Sequence, residues 1–126
     1  IECVVEGALT EEIAARLSKA VITSTMVKAA VFGSDANWGR ILCAIGCEGA
    51  EFDPNKIDII FESKKGYVEV CKDGTPLQFS EKKARSILED DEITIIVDLQ
   101  MGDKMANAWG CDLTYEYVRI NGSYRS

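Results

Sequence analysis

Apolar residues recur along the chain with two different spacings, and each spacing predicts a different kind of secondary-structure element. After Thr10 the apolar residues recur every three or four positions as far as Val21, which is typical of an amphipathic helix. Thr10 is suited to cap this helix, and the two glutamates that follow it favour a helix start. From Asp91 to Leu99 apolar residues occupy alternate positions, so this segment is the clearest predicted strand.

Shorter apolar runs predict the remaining elements. Gly7 and Ala8 are expected to turn the chain, and Ser80 is expected to cap a helix. Strand, helix and hairpin segments in this order predict an α+β fold of mixed α/β layers, with residues 1–126 as a single domain. The predicted segments are strands at Ile1–Glu6 and Met26–Phe32, a helix at Asn37–Ile45, a hairpin of Ile57–Glu62 and Tyr67–Lys72, a helix at Glu81–Glu89, a polar loop at Gly102–Asn107, a short strand at Trp109–Leu113 and a last helical turn capped by Thr114.

The balance of charge argues against nucleic acid as a partner. Lys and Arg number 14 against 21 Asp and Glu, a net charge of −7, and the basic residues are scattered, whereas contact with phosphates requires clustered cations. No apolar segment reaches the roughly 20 residues of a membrane span, and the start lacks the pattern of a secretory signal. The five widely spaced cysteines are typical of free thiols in a reducing compartment, so we expect a cytoplasmic protein with no membrane partner.

The chain contains no histidine, which narrows the chemistry it can supply. Histidine is the usual base for a serine or cysteine nucleophile, and Ile1 offers no nucleophilic side chain beside its own amine. No metal site is expected, because Cys43 and Cys47 are four residues apart and share only a helix face. The residues therefore argue against the usual catalytic triads and against a metal site, while a lysine remains open as a base.

A polar patch is expected at the start of the helix at Asn37–Ile45. Backbone amides at a helix start attract anions, and the Arg40 guanidinium suits two-point contact with a carboxylate. The alternative is structural: Asp35 or Asn37 caps the helix and Trp38 packs. Arg40 would then pair with an acid. The spacing favours the structural interpretation.

The end of the chain is rich in aromatic and amide side chains, whereas a terminus is normally small, polar and mobile. We therefore expect this end to be docked. Asn121 lies between Tyr117 and Tyr124, and its amide offers two donors and an acceptor to a small polar substrate. Asn121, Gly122 and Ser123 also fit the glycosylation sequon, a match that the odd cysteine set makes accidental, and a simple turn is the structural alternative.

Two segments carry a resemblance to a known family. Ser34–Ile41, which reads Ser-Asp-Ala-Asn-Trp-Gly-Arg-Ile, and Ala108–Arg125 closely resemble the C-terminal part of the β chain of the bifunctional ornithine acetyltransferase/N-acetylglutamate synthases of arginine biosynthesis. The intervening strands are similar too, so the resemblance covers essentially all 126 residues. It implies the C-terminal domain of an autoprocessed N-terminal-threonine acyltransferase.

The resemblance implies a mechanism whose nucleophile lies elsewhere. Enzymes of this family cleave themselves at an Ala–Thr bond into α and β chains. The new N-terminal threonine takes acetyl from N-acetylornithine and passes it to glutamate in a ping-pong cycle. The threonine amine would act as base, and α-chain amides or hydroxyls would form the oxyanion hole. The family assembles as α2β2 heterotetramers and needs no cofactor, with acetyl-CoA as a candidate second acetyl donor.

Compared with that family, this chain is expected to begin downstream of the catalytic threonine and of an acidic segment with a substrate-binding glutamate. The resemblance therefore implies that the chain has no catalytic residue and is inactive in isolation. Only two substrate contacts carry over: Asn121 matches the family's asparagine, and Ser126 matches its terminal threonine and keeps the hydroxyl. Gly122 and Ser123 replace the family's common Ala and Asp.

Two other functions remain open at this stage. One is a processed amidohydrolase or aminopeptidase of the same structural clan, in which water accepts the acyl group in place of glutamate. The other is a noncatalytic assembly module whose tail docks between subunits. The acetyltransferase would transfer the acetyl group to glutamate, whereas the hydrolase would release it as acetate.

Overall fold

The computed structural model describes residues 1–124 and contains one six-stranded sheet with an α+β arrangement of elements, as predicted. The strands lie in the order β4-β3-β2-β5-β1-β6 across the sheet. The elements along the chain are β1 (Glu2–Ala8), α1 (Glu11–Thr23), α2 (Thr25–Phe32), α3 (Trp38–Gly46), a 3-10 turn (Pro54–Lys56), β2 (Asp58–Ser63), β3 (Gly66–Lys72), β4 (Thr75–Pro76), α4 (Glu81–Leu88), β5 (Thr94–Asp98), β6 (Lys104–Trp109) and α5 (Tyr115–Ser123).

The register of the strands gives the sheet one buried and one open face. β1 runs parallel to β5 and antiparallel to β6, and β2 runs antiparallel to both β3 and β5. This pairing sets Cys3, Ile95 and Phe61 side by side on the face that α1 and α4 cover, where all three are buried. Residues one position along, such as Val4 and Ile96, are only partly buried because they point to the face without helices.

The core forms between the sheet and the helices. Leu17 and Val21 of α1 and Ile41 and Ile45 of α3 are fully or almost fully buried at helical spacing. Burying an aliphatic side chain of this size contributes roughly 1.5–3 kcal/mol, so these positions hold the helices against the sheet. This packing holds the helices and strands in place, and they in turn position the two segments that carry the family resemblance.

The predicted caps form at the starts of the helices. The hydroxyl of Thr10 accepts from the backbone N–H of Ile13 over 3.1 Å, and the hydroxyl of Ser80 accepts from that of Lys83 over the same distance. The predicted helices after both caps, and the hairpin of β2 and β3, are confirmed. The boundaries differ from the predicted ones by one or two residues.

The strand predicted at Met26–Phe32 is wrong, since this segment is helix α2. Ser24 caps it by accepting from the backbone N–H of Val27 over 3.3 Å. Val27, Ala30 and Val31 are buried at a spacing of three and four residues. The run is short and rich in apolar residues, and such a run fits a buried strand or a buried helix equally well by periodicity.

The predictions around β6 and the end of β1 are also wrong. Gly102–Asn107 was predicted as a loop and Trp109–Leu113 as a strand, but the strand occupies Lys104–Trp109. Its pairing with β1 stabilises a segment whose own residues have little strand propensity. Gly7 and Ala8 belong to β1 instead of turning the chain, because a register shift after Val5 absorbs the positive φ of +67° at Gly7.

Candidate functional site

Helix α5 carries the predicted substrate contact Asn121. Thr114 caps the helix by accepting from the backbone N–H of Tyr117 over 3.0 Å, so the predicted helical turn extends to nine residues. The side-chain nitrogen of Asn121 donates to the main-chain oxygen of Tyr117 over 3.0 Å. The turn considered as an alternative for Asn121 is therefore wrong, because Asn121 lies within the helix.

The helix presents an aromatic face on which Asn121 lies. Tyr117, Ile120 and Asn121 follow one another at intervals of three and one residues, which places them on one side of the helix, and Tyr124 is the residue that ends it. All four are exposed in this chain, including 73% of Tyr124. Tyr117, Ile120 and Tyr124 together leave a partly apolar surface beside Asn121, which suits this face to contact with a ligand or another protein segment.

The opposite side of α5 is charged. Glu116 and Arg119 form a salt bridge one turn apart, with Nε of Arg119 3.0 Å from each carboxylate oxygen. The bonded guanidinium lowers the pKa of Glu116, so its carboxylate stays ionised. Solvent suits these two charged side chains, which lie away from Asn121.

The base of α5 is attached to the end of α2. The rings of Tyr115 and Phe32 meet edge to face, with centroids 5.2 Å apart and planes at 89°. The backbone N–H of Leu113 also donates to the carbonyl oxygen of Lys28 over 3.3 Å. These contacts bring the chain's end beside the segment that leads into Ser34–Ile41.

The two motif segments meet at one cleft of about 450 Å³. Ser34, the first residue of one motif, and Cys111 and Asp112 of the other line it together. Asp90 and Asp91 line the same cleft, although no local pattern could connect residues so far apart in the chain. Asn121 does not line this cleft.

The polar patch at the start of α3 has the structural arrangement that its spacing favoured. The side-chain oxygen of Asn37 accepts from the backbone N–H of Arg40 over 3.1 Å, and its nitrogen donates to Asp35 over the same distance. Trp38 is partly buried against the core. The expected pairing of Arg40 with an acid is wrong, because its guanidinium donates to the carbonyl oxygen of Met26 over 2.9 Å.

Three further findings bear on the candidate residues. Ser126, the second predicted substrate contact, lies outside the described residues. Within residues 1–124, no three His, Cys, Asp or Glu side chains are placed to share a metal ion. Over the same range, every helix is too short or too polar to cross a membrane.

The fold and the two converging motifs define an α+β domain, and comparison with known proteins gives its family. The model of the ArgJ family matches residues 1–126, and the chain belongs to this family. A relative from Clostridium acetobutylicum, named arginine biosynthesis bifunctional protein ArgJ 1, is 56% identical over all of this chain and 31% of its own length. A glutamate N-acetyltransferase from Methanocaldococcus jannaschii is 52% identical over 98% of this chain and 32% of its own length.

A solved structure agrees with the family assignment. The crystal structure of the arginine biosynthesis bifunctional protein ArgJ from Bacillus halodurans is similar, with a TM-score of 0.90 and 44% sequence identity. The similarity covers 98% of this chain and 56% of that one. The chain thus spans about a third of the length of the relatives it matches.

Proposed function

We propose that this chain is part of a glutamate N-acetyltransferase that moves acetyl from N2-acetyl-L-ornithine to L-glutamate in arginine biosynthesis. The observation that carries the proposal is the match of the whole chain to the ArgJ family, whose relatives carry names that state this pathway and activity. Because the chain spans only about a third of those relatives, the activity is assigned to the longer protein.

The proposed reaction consists of two acetyl transfers. A threonine hydroxyl outside this chain attacks the acetyl carbonyl of N-acetylornithine and gives its proton to a base. The carbon–nitrogen bond breaks, and ornithine leaves with that proton on its amine. The amine of glutamate then attacks the acetyl-threonine ester, the carbon–oxygen bond breaks, and the threonine recovers a proton. This chain supplies neither nucleophile nor base and is expected to be inactive alone.

The contribution of this chain would be to bind and orient substrate. Asn121 has one side-chain nitrogen hydrogen held by Tyr117, so its carbonyl oxygen and its second hydrogen are available to a substrate's polar groups. The hydroxyl of Ser126 is proposed as the second contact. Holding a substrate in the reactive position lowers the entropic part of the barrier, which is how such contacts raise the rate.

The partners and the location follow from the same proposal. The chain would act with an α chain and the remainder of the β chain in an α2β2 heterotetramer, without a cofactor or nucleic acid. Acetyl-CoA is a candidate second acetyl donor. A biosynthetic role and five cysteines without a disulfide in the structure support a cytoplasmic protein.

The test follows the acetyl group in the full-length protein that contains this chain. N-acetylornithine with a labelled acetyl group is supplied with equimolar glutamate, and labelled N-acetylglutamate and acetate are measured separately. Appearance of N-acetylglutamate at the rate of ornithine release supports the proposal. Release of acetate at a rate independent of glutamate would contradict it and favour the amidohydrolase.

The uncovered aromatic face of α5 favours a second candidate, the noncatalytic assembly module. In that case the face would bind another subunit, and Asn121 would contribute only to that contact. Variants of Asn121 that weaken assembly and leave turnover unchanged would support the module.

A further inference from the structure

The two edges of the sheet are protected to very different degrees. One edge is β4, which has two residues and ends in Pro76, a residue that cannot donate to a further strand. The other edge is β6, which has six residues, no proline and one charged residue, Lys104, at its first position. Natural sheets cover or block edges of the second kind, so β6 is built to receive another strand.

The free backbone groups of β6 belong to Met105, Asn107 and Trp109. Ile1 and Gly110 exchange two backbone hydrogen bonds, of 2.7 and 2.8 Å, at the end of the β1–β6 ladder. Hydrogen-bonded pairs alternate with unbonded ones in an antiparallel ladder. The even-numbered residues of β6 therefore bond to β1, and the odd-numbered ones point their N–H and C=O groups outward.

The side chains of these three residues are exposed on the open face of the sheet. Met105 is 55% exposed and Trp109 is 67% exposed, and Asn107 lies between them. Ala106 and Ala108, on the other face, pack against the core beneath α1. The edge thus combines unused backbone groups with two large apolar side chains.

We propose that β6 is the strand through which two copies of this chain associate, pairing antiparallel about a two-fold axis at Asn107. In that register Met105 of each copy lies opposite Trp109 of the other, and the two Asn107 residues face each other. The three odd-numbered residues then form the bonded pairs of the new ladder, as their outward groups require. The inference does not depend on the proposed acetyl transfer.

The sequence of β6 is complementary to itself in this register. A thioether opposite an indole is a favourable contact, and the symmetry makes it twice. Two amides can exchange a donor and an acceptor, while one nitrogen hydrogen of Asn107 stays bonded to Glu2 over 2.8 Å. Small alanines face each other on the opposite side. Within β6 itself, the charged side chain of Lys104 lies at the end of the paired segment.

The main test changes the central residue of β6 in the full-length protein that contains this chain. Asn107→Pro removes an outward N–H and leaves the backbone bonds to β1 in place, and both this variant and Asn107→Thr lose the side-chain bond to Glu2. Asn107→Thr is the control because it keeps that N–H. Analytical ultracentrifugation is expected to show that proline raises the dissociation constant between copies about 100-fold, since each copy loses one bond, whereas threonine changes it by about tenfold or less.

A second pair of variants tests the side-chain contact. Met105→Glu would place a carboxylate against Trp109 of the other copy, whereas Met26→Glu changes a methionine of similar exposure, 59%, on α2. Only the first is expected to weaken association. Hydrogen exchange should show protected amides at Met105, Asn107 and Trp109 in the parent protein and faster exchange in Met105→Glu.

Two results would overturn the proposal. If neither variant at β6 changes the mass of the assembly while the odd-numbered amides stay protected, a strand of the same polypeptide covers this edge. If those amides exchange freely in the unaltered protein, the edge is open. Association is measured without turnover, so loss of acetyl transfer alone would leave this inference standing.

Discussion

The side-chain nitrogen of Asn121 and the main-chain oxygen of Tyr117 are joined by a hydrogen bond of 3.0 Å across one turn of α5. This bond limits the rotamers of Asn121 and leaves its carbonyl oxygen without a partner among residues 1–124. An exposed amide fixed in this way lies on the face of the helix that residues 1–124 leave uncovered. Its position suits a contact with a ligand or a partner more than a role in stability.

Asn121→Ala is expected to lower kcat/KM of the full-length enzyme for N-acetylornithine about 10- to 100-fold, the effect of losing one or two polar substrate contacts. The free energy of unfolding should change by no more than about 0.5 kcal/mol, because the residue is exposed. Steady-state kinetics and chemical denaturation measure the two effects. Arg119→Ala, on the charged side of α5, is the matched control and should change neither. Unchanged kcat/KM in Asn121→Ala would remove its role in substrate binding.

Asn37 provides a test of the patch at the start of α3. Its side-chain oxygen accepts from the backbone N–H of Arg40, so Asn37→Ala is expected to destabilise the protein by about 1 kcal/mol. Asn37→Ser keeps a capping oxygen without placing a second carboxylate beside Asp35, and it should be nearly neutral in denaturation. If Asn37→Ser keeps full stability and still loses turnover, the patch binds a ligand and the structural interpretation is insufficient.

The sequence predicted elements best where local chemistry decides them. Thr10 and Ser80 cap helices through their own hydroxyls, so spacing and residue type were enough. β6 depends on a partner strand more than 90 residues earlier, beginning at Glu2, and no local pattern reveals that pairing. α2 was mistaken for a strand because a short apolar run has no decisive period.

The same limit applies to the candidate site. Asn121 was identified from its residue type and from the family resemblance, and α5 places it where a partner could reach it. The cleft between Ser34 and Cys111 could not be predicted, because its lining comes from segments that are far apart in the chain. Local sequence patterns determine the helices and strands, whereas the candidate site depends on tertiary packing.

Gly7 is predicted to accept a side chain far less readily than Gly49. Gly7 and Gly49 have nearly the same φ, +67° and +69°, but a Cβ on Gly7 would overlap the Asp98 carboxylate and lie 2.7 Å from the backbone nitrogen of Gln100. A Cβ on Gly49 would meet nothing within 4 Å. Gly49→Ala should cost about 1 kcal/mol from backbone strain alone, and Gly7→Ala about 3 kcal/mol. Equal losses in urea denaturation would show that the overlap is relieved.

Because of Glu6, the free energy of unfolding is expected to fall as the pH rises above the acidic range. Its pKa is raised, because partial burial disfavours the charged carboxylate and Asp98, its neighbour in β5, adds a second negative charge. A carboxyl group with a higher pKa in the folded state binds its proton more tightly when folded. Its stabilising effect is therefore complete below the unfolded pKa of about 4.3 and is lost as the pH rises through the folded value.

Glu6→Gln removes this titration and is expected to raise Tm at pH 7 by about 1–3 °C, with little change at pH 4. Thermal unfolding across this pH range measures the difference. Glu62→Gln, on the same open face of the sheet, is the matched control and should alter Tm less at neutral pH. If both variants shift Tm equally, the effect comes from the net charge of −7 and not from the contact between Glu6 and Asp98, because each substitution removes one negative charge.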